Sequence, residues 1–156
     1  MPTFSELEQV ERKRYVVGFM LDPMLSKVVL VRKLRPDFQR GLLNGVGGKV
    51  GDLRSDETAE EAMPREFEEE TGGANLNWRK FLCLLTAHSD ITFFYAVGNV
   101  YVAKTLTDEE IGVYDIDDVM NRCDTMPNIR WCIQMARSIA FGEHADHFEV
   151  EEIKAE

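Results

Sequence analysis

The sequence predicts an α/β fold. Three observations carry that expectation. Runs of β-branched and aromatic residues at 15–20, 27–32, 79–86 and 91–103 read as strands, a helical repeat follows late in the chain, and an acidic stretch with a helix-start signal lies between the two pairs of strands. At 156 residues the chain is sized for one domain, 1–156, with 1–13 and 142–156 expected to be peripheral.

Taken in order, residues 15–20 form a strand, Asp22-Pro23 a turn and 27–32 its antiparallel partner. Residues 35–41 form a basic surface loop. Asn44-Gly45 has the form of a tight turn. In the last strand, alternation sends Phe93 and Tyr95 to one face and Phe94 to the other. His88 lies in the turn before it, beside Asp90, where a lone histidine is ordinarily solvated. An acidic loop at 107–111 precedes a short segment at 114–120. Asn128 is placed to cap the final helix, in which Ile129, Cys132, Ile133, Ala136 and Ala140 recur at helical spacing. Trp131 in that helix is a ring for stacking or for packing. His144 and His147 have the spacing of a shared metal site, but their acidic surroundings read as a polar tail.

The formal net charge of −10 argues against binding a nucleic acid polymer through its phosphates, which calls for a basic surface. A small nucleotide stays open, because bound cations screen phosphates locally. No apolar run approaches the length of a membrane span, and the first ten residues lack a signal-peptide pattern, so no membrane role is expected. Cys83, Cys123 and Cys132 are odd in number and widely spaced, which points to reduced thiols in a cytoplasmic protein. Monomer and homodimer remain equally open.

The chain is organised around residues 51–72. Thr58 followed by Glu61 has the form of a capping box, so a helix is expected to start there. At roughly 100° per residue, Glu66, Glu69 and Glu70 fall within an arc of about 100°, with Met63 and Phe67 beside it as a buried stripe. Carboxylates this close repel one another, and a divalent cation would turn that repulsion into attraction. Arg65, one turn before Glu69, is placed to hold one carboxylate. By itself such a cluster also describes a solvated acidic face.

The spacing is more specific. Gly51, five residues, Glu57, seven residues, then Arg65-Glu66-Phe67-x-Glu69-Glu70-x-Gly72 matches the signature of the Nudix hydrolases. Seven fixed residue types, each at roughly 7 % usage, coincide by chance on the order of 10⁻⁸ per start position, and a Glu-rich chain raises that about a hundredfold. Three features depart from the pattern. Gly73 stands where an aliphatic residue usually follows the closing glycine, with Ala74 or Leu76 as substitutes, or a two-glycine cap. Pro64 lies inside the expected helix. The pair Gly47-Gly48 comes three residues too early, which lengthens the loop before Glu57 and leaves its position open.

The resemblance extends from Tyr15 to about Phe141 and implies the Nudix fold, a mixed, curled β-sheet sandwiched between helices. It implies magnesium-dependent hydrolysis of a nucleoside diphosphate linked to another group, with manganese as a substitute. Glu69 and Glu70 are the implied principal metal ligands and Glu66 a ligand or the general base. Glu57 is a supporting carboxylate, Arg65 an orienting partner, and backbone at Gly48 part of the metal cradle. Glu109 or Glu110 is the kind of loop glutamate such enzymes add. Asn44 and Asn128 resemble base contacts of MutT-type relatives, which favours a (d)NTP or a damaged purine nucleotide; Lys49, in the same segment, is either a phosphate or metal-side contact or a solvated lysine. ADP-ribose and a non-catalytic nucleotide-binding module are the alternatives. Nothing in the sequence fixes the base or the number of metals.

Overall fold

The computed structural model describes residues 12–142 and 147–153. Its central element is β1 (Lys13–Leu21), whose alternation sends Val16 and Met20 to one face and Phe19 and Leu21 to the other. Then come β2 (Lys27–Arg32), a 3₁₀ turn at Asp37–Gln39, β3 (Leu43–Asn44) and β4 (Val46–Lys49). The acidic helix α1 (Ala59–Thr71) leads to β5 (Arg79–Leu85), β6 (Ser89–Val97) and β7 (Glu110–Asp115). The one-turn α2 (Ile116–Val119), α3 (Ile129–Ala140) and β8 (Phe148–Glu151) complete the described chain.

These strands make one mixed eight-stranded sheet, ordered β3-β2-β1-β6-β5-β8, with β4 branching from β1 and β7 from β2. β1 runs parallel to β6 along its whole length, from Lys13 opposite Ser89 to Leu21 opposite Val97. Its other edge belongs mostly to β4, from Tyr15 opposite Lys49 to Gly18 opposite Val46. The expected pairing of β1 with β2 is therefore present at one position, Leu21 opposite Val28. β2 instead pairs antiparallel with β7 and β3.

Each face of the sheet is covered by a helix, giving two cores. On one face α1 lays Ala62, Met63 and Phe67 against Val16, Met20, Val29, Val31 and Phe94. On the other, α3 lays Ile129, Cys132, Ile133 and Ala136 against Phe19, Leu30, Phe81, Phe93 and Tyr95. Both aromatic faces of β6 thus enter cores. Burial raises the Cys132 thiol pKa, as its helical spacing in the core implies. Gly18 sits directly under α1, where an added Cβ would come within 2.5 Å of Met63 Cε and 2.8 Å of Trp78 Cζ3.

Several boundaries differ from the expectation. The strand expected to run to residue 103 ends at Val97: Gly98 turns back, its N–H bonded to the Leu21 carbonyl, and Asn99 caps a 3₁₀ turn at Val100–Val102. Arg12 and Lys13, from the stretch expected to be peripheral, are docked through an Arg12–Asp90 ion pair and a Lys13 N–H bond to the His88 carbonyl. Phe148–Glu151, read as part of a polar tail, forms β8 and pairs in parallel with β5. His144 lies outside the described residues, and His147 is exposed. No described helix is long and apolar enough to cross a membrane.

Candidate active site

α1 begins where the capping signal predicts, with the Glu61 N–H donating to Thr58 Oγ1 at 3.2 Å, but the Glu61 carboxylate pairs with Arg54. It ends at Gly72 (φ 77°), whose N–H bonds to the Glu68 carbonyl, so the closing glycine takes a left-handed cap. The helix continues through Pro64, which sits on its exposed face. Gly73 follows because an added Cβ would lie 2.5 Å from the Phe67 ring, and Leu76 packs into the adjacent core instead.

Arg65 organises the acidic cluster. Its Nε and Nη2 grip the two oxygens of Glu57 at 2.6 and 2.9 Å, and Nη1 reaches Glu66 at 3.1 Å and Glu69 at 3.2 Å. Nη2 also donates to the Lys49 carbonyl at 3.3 Å, tying α1 to β4. Glu57 is 3 % exposed and takes a further bond from the Gly51 N–H at 3.0 Å. The lengthened loop 50–58 therefore still delivers Glu57 to the cluster, and Gly51, at φ 91°, supplies the donor that fixes it. The Arg65 bonds hold the Glu57 carboxyl down to about 2.

The remaining carboxylates are less satisfied. Burial pushes Glu66, 8 % exposed, upward despite Arg65. Burial likewise drives Glu70 up to about 7, against the pull of Lys33 and reinforced by Glu66, Glu109 and Glu69. Glu70 Oε2 is buried with no hydrogen-bond partner. Glu69 is 56 % exposed on its side chain and turned toward Arg65. Of the two loop glutamates, Glu110 is exposed at the start of β7, whereas Glu109 is 5 % exposed. Glu109 accepts from Lys33 Nζ at 2.9 Å and the Leu34 N–H at 2.6 Å. Burial would raise its carboxyl, but these bonds outweigh it and leave it below the ordinary value.

Among the described residues no group of three or more His, Cys, Asp or Glu is already arranged to hold a metal ion. The donor set nevertheless fits a hard divalent cation: the candidate ligands are carboxylates, and Glu70 Oε2 is an orphaned oxygen. Gly48 leaves the space such a site needs. A Cβ there would sit 2.5 Å from the Glu66 carboxylate.

Gly47 and Gly48 also line a cavity of about 880 Å³ on the opposite, α3 side of the sheet. Its floor is apolar, with Val17, Leu84, Ile91 and Phe93, and Met126 closes it from the approach to α3. Lys33 and Arg35 lie on its wall with Asn44 and Asn128. The expected Asn128 cap makes no side-chain cap bond. The expected tight turn at Asn44-Gly45 does not form: Asn44 ends β3, β4 starts at Val46, and neither residue has a positive φ. Asn44 takes the Gly45 N–H on Oδ1 at 2.8 Å and lines the cavity. Lys49 does not join them: it is exposed, off the cavity wall, and contributes its carbonyl to Arg65. Trp131 is 38 % exposed and also lies off the wall. Sequence reasoning passed over Lys33, whose signal was its position at the end of β2, one residue beyond Arg32, which pairs with Glu110.

Carboxylates gathered on a helix, separated from a nucleotide-sized cavity by two glycines, make the arrangement of a pyrophosphohydrolase acting on phosphoric anhydride bonds. The NUDIX domain model matches residues 11–126, and the chain belongs to the Nudix hydrolase family. Nudix hydrolases generally use a divalent metal. The fold is similar to that of a MutT NUDIX hydrolase from Burkholderia pseudomallei, at 19 % identity and TM-score 0.66 over 80 % of this chain and 98 % of that one. It is similar to a NUDIX-family hydrolase from Clostridium perfringens, at 19 % identity and TM-score 0.63 over 83 % and 98 %. It also resembles the NUDIX domain of Shewanella oneidensis NrtR complexed with ADP ribose, at 16 % identity and TM-score 0.69 over 89 % and 99 %. No curated protein matches the chain.

Proposed function

We propose that this enzyme adds water across the anhydride between the first and second phosphates of a (d)NTP, a damaged purine nucleotide included, releasing a nucleoside monophosphate and pyrophosphate. Magnesium is the proposed cofactor, with manganese able to replace it. The observation that carries the reading is the double role of Gly48, which lines the cavity on one side and abuts the Glu66 carboxylate on the other. Phosphates of a nucleotide in the cavity reach the acidic helix across Gly47-Gly48, where no side chain blocks the way.

When bound, divalent cations lower the pKa of water and draw charge from phosphate oxygens. Glu66, Glu69 and Glu70 are the residues that would hold them, with the backbone of Gly48. Glu57 and Arg65 keep that set in register, since Arg65 bonds three of the carboxylates at once. Lys33 and Arg35 offset phosphate charge on the cavity side. Asn44 and Asn128 meet the base above the apolar floor. Glu66 and Glu109 are the candidates for accepting the proton of the attacking water; Glu110 is exposed, on the first residue of β7. Free thiols at Cys83, Cys123 and Cys132 are in keeping with a reducing, cytoplasmic setting.

A second reading, hydrolysis of ADP-ribose or a nucleotide sugar, is favoured by the length of the cavity, which continues past Ile91 to Lys13 and His88. The test is turnover of a panel with magnesium, using wild type and Glu69→Gln. The panel holds the common (d)NTPs, an oxidised purine dNTP, ADP-ribose and a dinucleoside polyphosphate. A (d)NTP as best substrate, with turnover lost in the variant, is expected. ADP-ribose as best substrate selects the second reading, and binding without turnover by wild type makes the domain a non-catalytic module.

A further inference from the structure

Loop 33–42 spans the cavity's cationic and base-facing walls, and its ends are fixed. The Gly41 N–H donates to the Lys33 carbonyl at 2.8 Å and the Lys33 N–H to the Leu42 carbonyl at 2.9 Å. Arg32 Nη1 holds the Gly41 carbonyl at 2.9 Å, and Arg35 pairs with Asp108. The loop's tip, the 3₁₀ turn Asp37–Gln39, is thus presented by a braced hairpin. On it, Phe38, a residue 71 % exposed, lines a cavity whose other walls include the apolar Val17, Leu84, Ile91 and Phe93.

Gln39 is tied to Asn44. The Gly45 N–H can only donate, so the Asn44 atom facing it is Oδ1, and Nδ2 donates to Gln39 Oε1 at 3.1 Å. Asn44 is left with one N–H and one lone pair for a ligand. The Gly45 N–H fixes which way the amide faces, and Gln39 engages one of its two N–H groups.

We propose that the turn Asp37–Gln39 is the base-recognition element of the cavity: Phe38 stacks on the nucleobase, and Gln39 is a positioning residue that takes one of the two Asn44 N–H groups and leaves the other for the base. This rests on the nucleotide-hydrolase reading above. Stacking tolerates every base because each has a π-face, so Phe38 governs affinity generally. Hydrogen bonding distinguishes bases, so Gln39 governs the choice among them.

The test is steady-state kinetics of the full chain on dATP, dGTP, dCTP and dTTP with magnesium, for wild type, Phe38→Ala, Phe38→Trp and Gln39→Leu. Phe38→Ala is expected to raise KM about tenfold for every nucleotide with kcat retained, and Phe38→Trp to restore it. Gln39→Leu is expected to change the kcat/KM ratio between purine and pyrimidine substrates by about threefold or more. A KM for Phe38→Ala unchanged for all four, or no rescue by Trp, overturns the stacking role. An equal loss on all four in Gln39→Leu overturns the positioning role and makes Gln39 merely structural. If wild type hydrolyses none, the proposed function fails, and the inference is decided by calorimetric binding of the non-hydrolysable α,β-methylene analogues of dATP and dCTP. Phe38→Ala must then weaken both and Gln39→Leu change their ratio; no such change, or no binding by wild type, overturns it.

Discussion

Gly48 and Glu66 are in contact across the junction of β4 and α1, so close that a methyl group on Gly48 would lie 2.5 Å from the carboxylate carbon. Glycine is required there by that proximity, since its backbone lies in ordinary strand geometry.

Gly48→Ala is therefore expected to fold and to lose turnover by roughly 100-fold, because displacing a reactive carboxylate by about 1 Å is enough for that. Activity assays beside a thermal melt check it. A variant with full kcat would show that Glu66 moves aside freely.

Glu57 should contribute stability that is visible in acid. Its folded carboxyl titrates near 2 against an ordinary 4.5, so the stabilisation is complete above 4.5 and lost as pH falls from there through 2. Glu57→Gln, which leaves Arg65 short of its bidentate partner, is expected to lower stability at pH 7 by about 3 kcal/mol. It should also flatten the acid limb of a stability–pH curve measured by urea denaturation.

Glu70 has the opposite sign. Its folded carboxyl is raised to about 7, so the folded protein holds a proton that the unfolded chain releases near 4.5. Metal-free protein is expected to lose stability as pH rises from 4.5 to about 7. Glu70→Gln should recover on the order of 2 kcal/mol at pH 8 in the presence of chelator. Denaturation curves at pH 5 and pH 8, with and without chelator, test both statements.

Magnesium should stabilise the fold, by about 2.7 kcal/mol at one hundred times its dissociation constant. The gain is expected to shrink in Glu69→Gln and to vanish when Glu70 is changed as well. A melting temperature that ignores magnesium would contradict the proposed ligand set.

Restoring the family's aliphatic residue after the closing glycine should harm this chain. Gly73→Ile drives a side chain into the Phe67 ring, which itself meets Trp78 edge-on at 4.9 Å. A loss of about 1–3 kcal/mol is expected from overpacking.

The acidic helix was legible because its determinants are local. Thr58 and Gly72 cap the helix within a turn of each end, as their sequence context implies, and Arg65 reaches Glu66 and Glu69 from one turn or less away. β1, β2, β5 and β6 were legible for the same reason, through their runs of β-branched and aromatic residues, whereas β3, β4, β7 and β8 are short and lie in stretches read as turn, loop or tail. Pairing was not: β1 takes β6 and β4 as principal neighbours, which are separated from it in sequence, and only the three-dimensional sheet selects them. The choice between Glu109 and Glu110 was likewise closed to sequence, because it turns on Lys33 and the Leu34 N–H reaching across from another segment. Lys49, by contrast, is exposed and off the cavity wall, and it meets Arg65 through its carbonyl.

The bare Cα of Gly18 beneath Met63 and Trp78 acts as a shim of zero thickness. It sets the approach of helix to sheet at Met63, one turn before Glu66. Thickening it by a single methyl would press on the end of the Met63 side chain and on the Trp78 ring, so the seat of the acidic helix is set in part from a strand position that carries no carboxylate.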